Sequence, residues 1–342
     1  MTWKEKQTMT WNKKASAYTF DDMAFPLVVE VAKPTDVLAF VSENADDVKR
    51  AIQDHGAILL RGFGSSEEQT LSNILQVVWA KPISYTYRST PRTSVSNGIY
   101  TATEYPANRD IPPHCECSYQ RDWPMILGFH CVDPANEGGQ TPLGDMSRIT
   151  KRIGTDIVAT FEERGVQYVR NYSDNFDLPW KEVFQTSVKS EVEAYCKDHG
   201  LSFEWKKEDQ LRTSQTCQGM ALHPTTGESI WFNQSNLFHV SSLGESAARS
   251  MLDVFGEENL PRHAFFGDGA SIPPDVLEEV KEAFSSEMIS FDWQRHDILL
   301  FDNMRVCHAR RPYTGNRRVL ASMGLTYSEA VRLADDPPSI KA

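Results

Sequence analysis

Hydrophobic positions along the chain change their period several times, and each change predicts an element. In "NADDVKRAIQDHG" (44–56), Val48, Ala51 and Ile52 share one helical face. Asn44 or Asp46 is placed to cap that helix and Gly56 to end it. The continuous apolar run in "AILLRGF" (57–63) then predicts a buried strand. A clearer helix is predicted in "SSEEQTLSNILQVVW" (65–79). There Leu71, Ile74, Leu75 and Val78 form a stripe, and Ser65 and Glu68 have capping-box spacing. "ILGFHCV" (126–132) reads as a strand that runs into the loop "DPANEGGQTP". Residues 147–164 predict one helix, with Ile149, Ile153, Ile157 and Phe161 on one side and Gly165 as its stop. "SIWFNQ" (229–234) reads as strand, and "PPDVLEEVKEAFSSE" (273–287) as an amphipathic helix with Pro near its start. The stretch 297–327 predicts two strands joined by a polar loop. The first 40 residues carry only weak signals.

The segment from about 170 to 225 is polar and rich in Trp, Lys and Glu. With the helical residues from about 150 it is expected as a helical or lid-like insertion. No repeat and no Gly-, Pro- or Ser-rich linker marks a boundary, so residues 1–342 are expected to form a single domain. Helices precede or interrupt the strands without regular βαβ alternation. That predicts a mainly β core with helical decoration and argues against a doubly wound sheet.

Composition adds bounds. With 40% hydrophobic and 24% charged residues in 342, the chain reads as an ordinary globular protein. No apolar run approaches the roughly 18 residues needed to cross a bilayer. The basic, polar start "MTWKEKQTMTWNKK" shows no secretory signal, so a cytoplasmic protein without a membrane partner is expected. The net charge of −12 argues against a nucleic-acid partner, while leaving room for a local basic pocket. Cys115 and Cys117 lie close together and the other cysteines far apart, a pattern expected of free thiols and not of a disulfide framework.

The candidate chemistry begins at "IPPHCECSYQ" (111–120). If the segment is extended, His114 and Glu116 share one face and Cys115 and Cys117 the other, so the four residues cannot hold one metal together. Cysteine-based zinc sites need a second pair of thiolates, which C-x-C lacks here. A polar pair at a strand end is the plain alternative for His-x-Glu. His308 changes the picture, because two histidines and one carboxylate suit a non-haem iron(II) centre that leaves positions open for substrate and O2. The basic run "RRPYTGNRRV" (310–319) follows His308 closely. Alone it reads as a solvated charge cluster; beside an iron site it suggests an anionic co-substrate held by an arginine.

In that order, "HCE", "GGQTPLGD" and "DNMRVCHARRPYTGNRRVL" resemble the iron(II)/2-oxoglutarate-dependent dioxygenases of the taurine dioxygenase and clavaminate synthase-like superfamily. "YTATEYP", "SYQRDWP" and "HPTTGESIWFNQSNLFH" are most similar to syringomycin-type amino-acid β-hydroxylases. The resemblance covers about residues 55 to 330. It implies a double-stranded β-helix (jelly-roll) core with iron at its mouth, and Fe(II), 2-oxoglutarate and O2 as cofactor and co-substrates. His114, Glu116 and His308 match the iron ligands. Thr141 matches the residue that touches the 2-oxoglutarate carboxylate, and Arg317 the arginine that pairs with it. Arg318 adjoins it; alternation lets only one of the two face the pocket, and Arg317 is favoured. Glu104 matches a position that meets a substrate ammonium, with a surface charge as the plain alternative. Arg305 is a candidate for a substrate carboxylate. Asn233 and Gln234 are either support for the site or turn formers. The tryptophans at 123, 180, 205 and 231 are expected to be packing residues. Relatives often have Gly where this chain has His296, which is not expected to be a ligand. A carboxylate at Glu116 argues against halogenation, since halogenases of the superfamily have a small residue there.

The implied activity is hydroxylation of an unactivated C–H bond in an amino acid or amino-acid-derived metabolite, free or tethered to a carrier protein. The alternatives are a non-amino-acid small acid such as a sulfonate, a desaturation or cyclisation outcome, or a non-catalytic jelly roll that binds a small acid. Oligomeric state is left open.

Overall fold

The computed structural model describes residue 11 and residues 15–335, apart from 21–24, 65–68, 80–82, 84–86, 88, 90–92, 97, 103–104 and 174–175. Its largest sheet has eight strands, in the spatial order 15–19, 27–31, 57–61, 298–302, 124–133, 318–326, 99–101 and 94–96. All neighbours in it are antiparallel except 27–31 with 57–61. The central strands Ala57–Arg61 and Ile298–Asp302 are buried along their whole length. That explains why both read as continuous apolar runs with no alternation. A smaller antiparallel sheet orders strands 288–289, 143–145, 306–310 and 111–114. The two sheets meet where Phe129 and Phe301 of the large one lie 5.2 and 5.5 Å from the His308 ring of the small one. This is the expected mainly β jelly roll with helical decoration.

Helices cover the outer face of the large sheet. Thr70–Val78 packs on strands 124–133 and 318–326 through its predicted stripe of Leu71, Ile74, Leu75 and Val78. A side chain at Gly128 would sit 2.7 Å from Leu71 Cδ1, so glycine sets how closely helix and sheet approach. The proposed capping pair Ser65 and Glu68 lies outside the described residues. Helix Ala45–His55 ends where predicted, at Gly56 in the left-handed conformation (φ 77°). Asn44, however, makes no cap bond for it. Its amide instead donates to the Phe40 carbonyl at 2.7 Å and closes the preceding helix, Val37–Glu43.

Two expectations need correction. The single helix over 147–164 is two helices, Met146–Arg152 and Thr155–Arg164. Ile153 and Gly154 between them are extended, and the Gly154 N–H donates to Glu279 Oε1 at 2.8 Å in place of an intrahelical carbonyl. The segment at about 150–225 also carries more than helices. Strands 202–205, 211–217 and 166–171 form a four-stranded sheet with 262–266. Tyr168, Trp180, Val183, Val192 and Leu211 from it join the main hydrophobic core. The polar impression came from alternation, since Leu211–Cys217 is buried at every second residue.

Candidate active site

Strand register brings the first two candidate ligands together. His114 ends the strand Ile111–His114 and pairs directly with His308 in Val306–Arg310, leaving the two rings 4.4 Å apart. Glu116 is not in the strand. The chain turns after His114, and Cys117 takes a positive φ of 58°. The turn still returns the carboxylate to the histidines: Glu116 Oε2 lies 4.0 Å from His114 Nε2 and 3.9 Å from His308 Nε2. One donor atom from each residue falls within 4.8 Å of the other two. His114 Nδ1 is 2.9 Å from the Pro112 carbonyl, which fixes it as the N–H and leaves Nε2 as the lone-pair donor facing Glu116.

Asn303, whose role the sequence did not reveal, holds the turn. It is fully buried. Its Oδ1 accepts from the Glu116 N–H at 2.7 Å, and its Nδ2 donates to the Glu116 and Pro124 carbonyls at 2.9 and 2.8 Å. Gln234 donates to the Cys115 carbonyl at 2.8 Å, so it supports the same turn. Asn233 is a turn former whose Oδ1 accepts from the backbone and hydroxyl of Ser235. The hydrogen-bonded clamp on Glu116 joins residues 187 positions apart, and no local pattern announces it. All six cysteines are buried free thiols. Trp123 and Trp231 are buried, Trp180 packs edge-on against Trp205, and all four act in packing.

The triad stands between two cavities. His114 borders both, Glu116 the larger and His308 the smaller. The smaller is also lined by Thr141, Arg310 and Arg317. Arg317 donates from Nε to the Gly139 carbonyl at 3.0 Å and from Nη2 to Thr141 Oγ1 at 3.5 Å. The Thr141 hydroxyl is oriented by Trp293 Nε1, 3.0 Å away. Among the described residues no carboxylate pairs with Arg317. Burial, with Arg310 nearby, pushes its guanidinium down to about 10, so it is still a cation at neutral pH. A half-buried cation beside a hydroxyl donor is what one end of a dicarboxylate needs. Arg310 is tied to the loop over the site, donating to the carbonyls of Tyr105, Pro106 and Arg109 at 2.7–2.9 Å.

Two candidates leave the site. Arg318 is exposed and does not line the small cavity; Arg317 and Val319 do, as alternation requires. Arg305 lies in the turn before strand Val306–Arg310, and its Nη1 donates to the Ile52 and Gln53 carbonyls at the C-terminus of helix Ala45–His55. It is a helix-end cation and not a substrate contact. Glu104 lies outside the described residues. His296 does not belong to the cluster of His114, Glu116 and His308, and takes a φ of 70°, a conformation that favours glycine.

The larger cavity, about 340 Å³, suits a small organic molecule. Two imidazoles and one carboxylate are the donor set that would hold iron(II), and the cluster borders both cavities. A jelly roll with that cluster at its mouth and a half-buried arginine alongside is the framework of an iron(II)- and 2-oxoglutarate-dependent oxygenase. Comparison with known proteins identifies the family. The profile of the taurine catabolism dioxygenase TauD, TfdA family matches residues 21–323, and the chain belongs to that family. It is 37% identical over 276 residues to the dapdiamide synthesis protein DdaC of Enterobacter agglomerans, covering 81% of this chain and 84% of that one. It is 29% identical over 283 residues to a clavaminate synthase-like protein of Arabidopsis thaliana, covering 80% and 82%. The fold matches PvcB of Pseudomonas aeruginosa with a TM-score of 0.51 and 16% identity over 90% of each chain. The protein is thus a dioxygenase that uses iron(II), 2-oxoglutarate and O2 on a small-molecule substrate. No helix among the described residues is long and apolar enough to cross a membrane.

Proposed function

We propose that this oxygenase hydroxylates an unactivated C–H bond of an amino acid or amino-acid-derived metabolite in a biosynthetic pathway. The observation that carries the chemistry is the His114–Glu116–His308 cluster at the junction of two cavities. These three residues hold iron(II), and Arg317 with Thr141 holds 2-oxoglutarate. When bound, the pair supplies O2 reduction coupled to decarboxylation of 2-oxoglutarate to succinate. The protein's own work is to position the target carbon in the larger cavity and keep other side chains away from the oxidant. Similarity to a dapdiamide synthesis protein supports a biosynthetic role, and the sequence resemblance to amino-acid β-hydroxylases supports the substrate class. Glu104 is assigned to the substrate ammonium. The whole chain acts as one catalytic domain, and its six buried thiols suit a reducing cytoplasm.

The test is succinate release by the iron-loaded enzyme across free amino acids and their carrier-tethered thioesters, with product mass measured in parallel. A gain of one oxygen in an amino-acid product is expected. A substrate without an amine, or a product that has only lost two hydrogens, would overturn the reading.

A further inference from the structure

The larger cavity holds a cation that this chemistry does not use. Arg262, which opens the strand Arg262–Phe266, lines it together with His114 and Glu116. Its Nη2 donates to the Ser89 carbonyl at 3.1 Å and to the Asp177 carboxylate, and the Phe238 ring lies 5.3 Å from its guanidinium carbon. Asp177 is already shared. Its other oxygen is 3.3 Å from Nη2 of Arg170, and the two side chains are 2% and 1% exposed. Two guanidiniums therefore share one carboxylate.

A guanidinium has five N–H donors. Both bonds made by Arg262 leave from Nη2, and among the described residues Nε and Nη1 meet no acceptor. Its side chain keeps 31% exposure in a cavity whose wall includes the apolar side chains of Leu237, Val240, Met251 and Leu260. A partly exposed guanidinium with open donors at a cavity wall is completed by an anion. We infer that Arg262 is the carboxylate anchor of the substrate cavity: the substrate presents a free carboxylate to Arg262 and lays an aliphatic portion along the apolar wall. This rests on the cavity being the substrate site of the oxygenase. It also means that this carboxyl is not the one esterified to any carrier.

Hexanoate and hexanamide differ in charge but hardly in shape, and neither has an amine. Each is titrated calorimetrically into the anaerobic enzyme loaded with iron(II) and 2-oxoglutarate, whose visible charge-transfer band shows that the co-substrate stays bound. Hexanoate is expected to bind tighter by about tenfold or more. In Arg262→Gln the preference should shrink to within about twofold, with Arg262→Lys between. Arg170 keeps Asp177 paired in both variants, which favours normal folding. Hexanoate failing to bind, equal binding of the two probes, or a preference that survives Arg262→Gln would overturn the inference. If the variants do not fold, the wild-type comparison of acid and amide decides alone. Absence of the charge-transfer band in the wild type is a different failure, that of the oxygenase site, and leaves the hexanoate comparison standing.

Discussion

Three side chains around one point act as a unit, because two donors hold a hydrated divalent ion far less well than three. His114→Ala, Glu116→Ala and His308→Ala are each expected to abolish succinate formation with iron(II) in excess. Near-normal turnover in any one of them would remove that residue from the centre. At the co-substrate end, Arg317 lines the small cavity and Arg318 is its exposed neighbour. Removing one partner of a desolvated charge pair costs about 2–5 kcal/mol. Arg317→Ala should therefore raise the 2-oxoglutarate concentration for half-maximal rate by roughly 30-fold or more. Arg318→Ala should leave it nearly unchanged, and a reversed order in the same titration would move the anchor by one residue. The choice between these adjacent arginines was open by one position in the sequence. The start of strand Arg318–Thr326 settled which of them turns inward.

At the scale of elements, the site depends on how one turn is clamped. Asn303→Ala leaves the Glu116 N–H and the Glu116 and Pro124 carbonyls without their buried partner. Stability should fall by roughly 2–4 kcal/mol in chemical denaturation, and iron(II) affinity should fall with it. Unchanged metal affinity would show that Gln234 alone keeps the turn. Arg305→Ala removes a cation from a helix C-terminus, a loss of about 1 kcal/mol. Its 2-oxoglutarate requirement should match wild type; a large change there would restore Arg305 to the site. Helix ends and stripes were legible beforehand wherever a local device set them, as Gly56 and the Leu71–Val78 stripe did. The break at Ile153–Gly154 was not, because the competing acceptor is Glu279, 125 residues on.

Burial of ionisable groups governs the whole molecule's response to acid. His130, His239 and His263 are each pushed down to about 4, chiefly by burial, so they stay neutral in the fold. Their unfolded counterparts take up protons below about 6.5. Stability should therefore be full above that pH and decline as pH falls toward 4, by up to about 1.4 kcal/mol per pH unit for each histidine. Denaturation midpoints at pH 7, 6 and 5 measure this. Constant midpoints would mean that these rings are protonated, or solvated, in the native state.

Near-neighbour patterns in the chain carry the apolar runs that became central strands, the ends or stripes of helices such as Ala45–His55 and Thr70–Val78, and the donor types at His114, Glu116 and His308. Which distant groups meet was set by packing. It set His308 across from His114 by strand register, closed Asn303 on Glu116, and sent Arg305 to a helix end. It also paired the strand that carries Arg262 with strands of the segment expected as an insertion, and set Arg262 in the cavity beside Glu116. Periodicity records which face of an element is buried, whereas the partner on that face is chosen by packing between segments far apart in the chain.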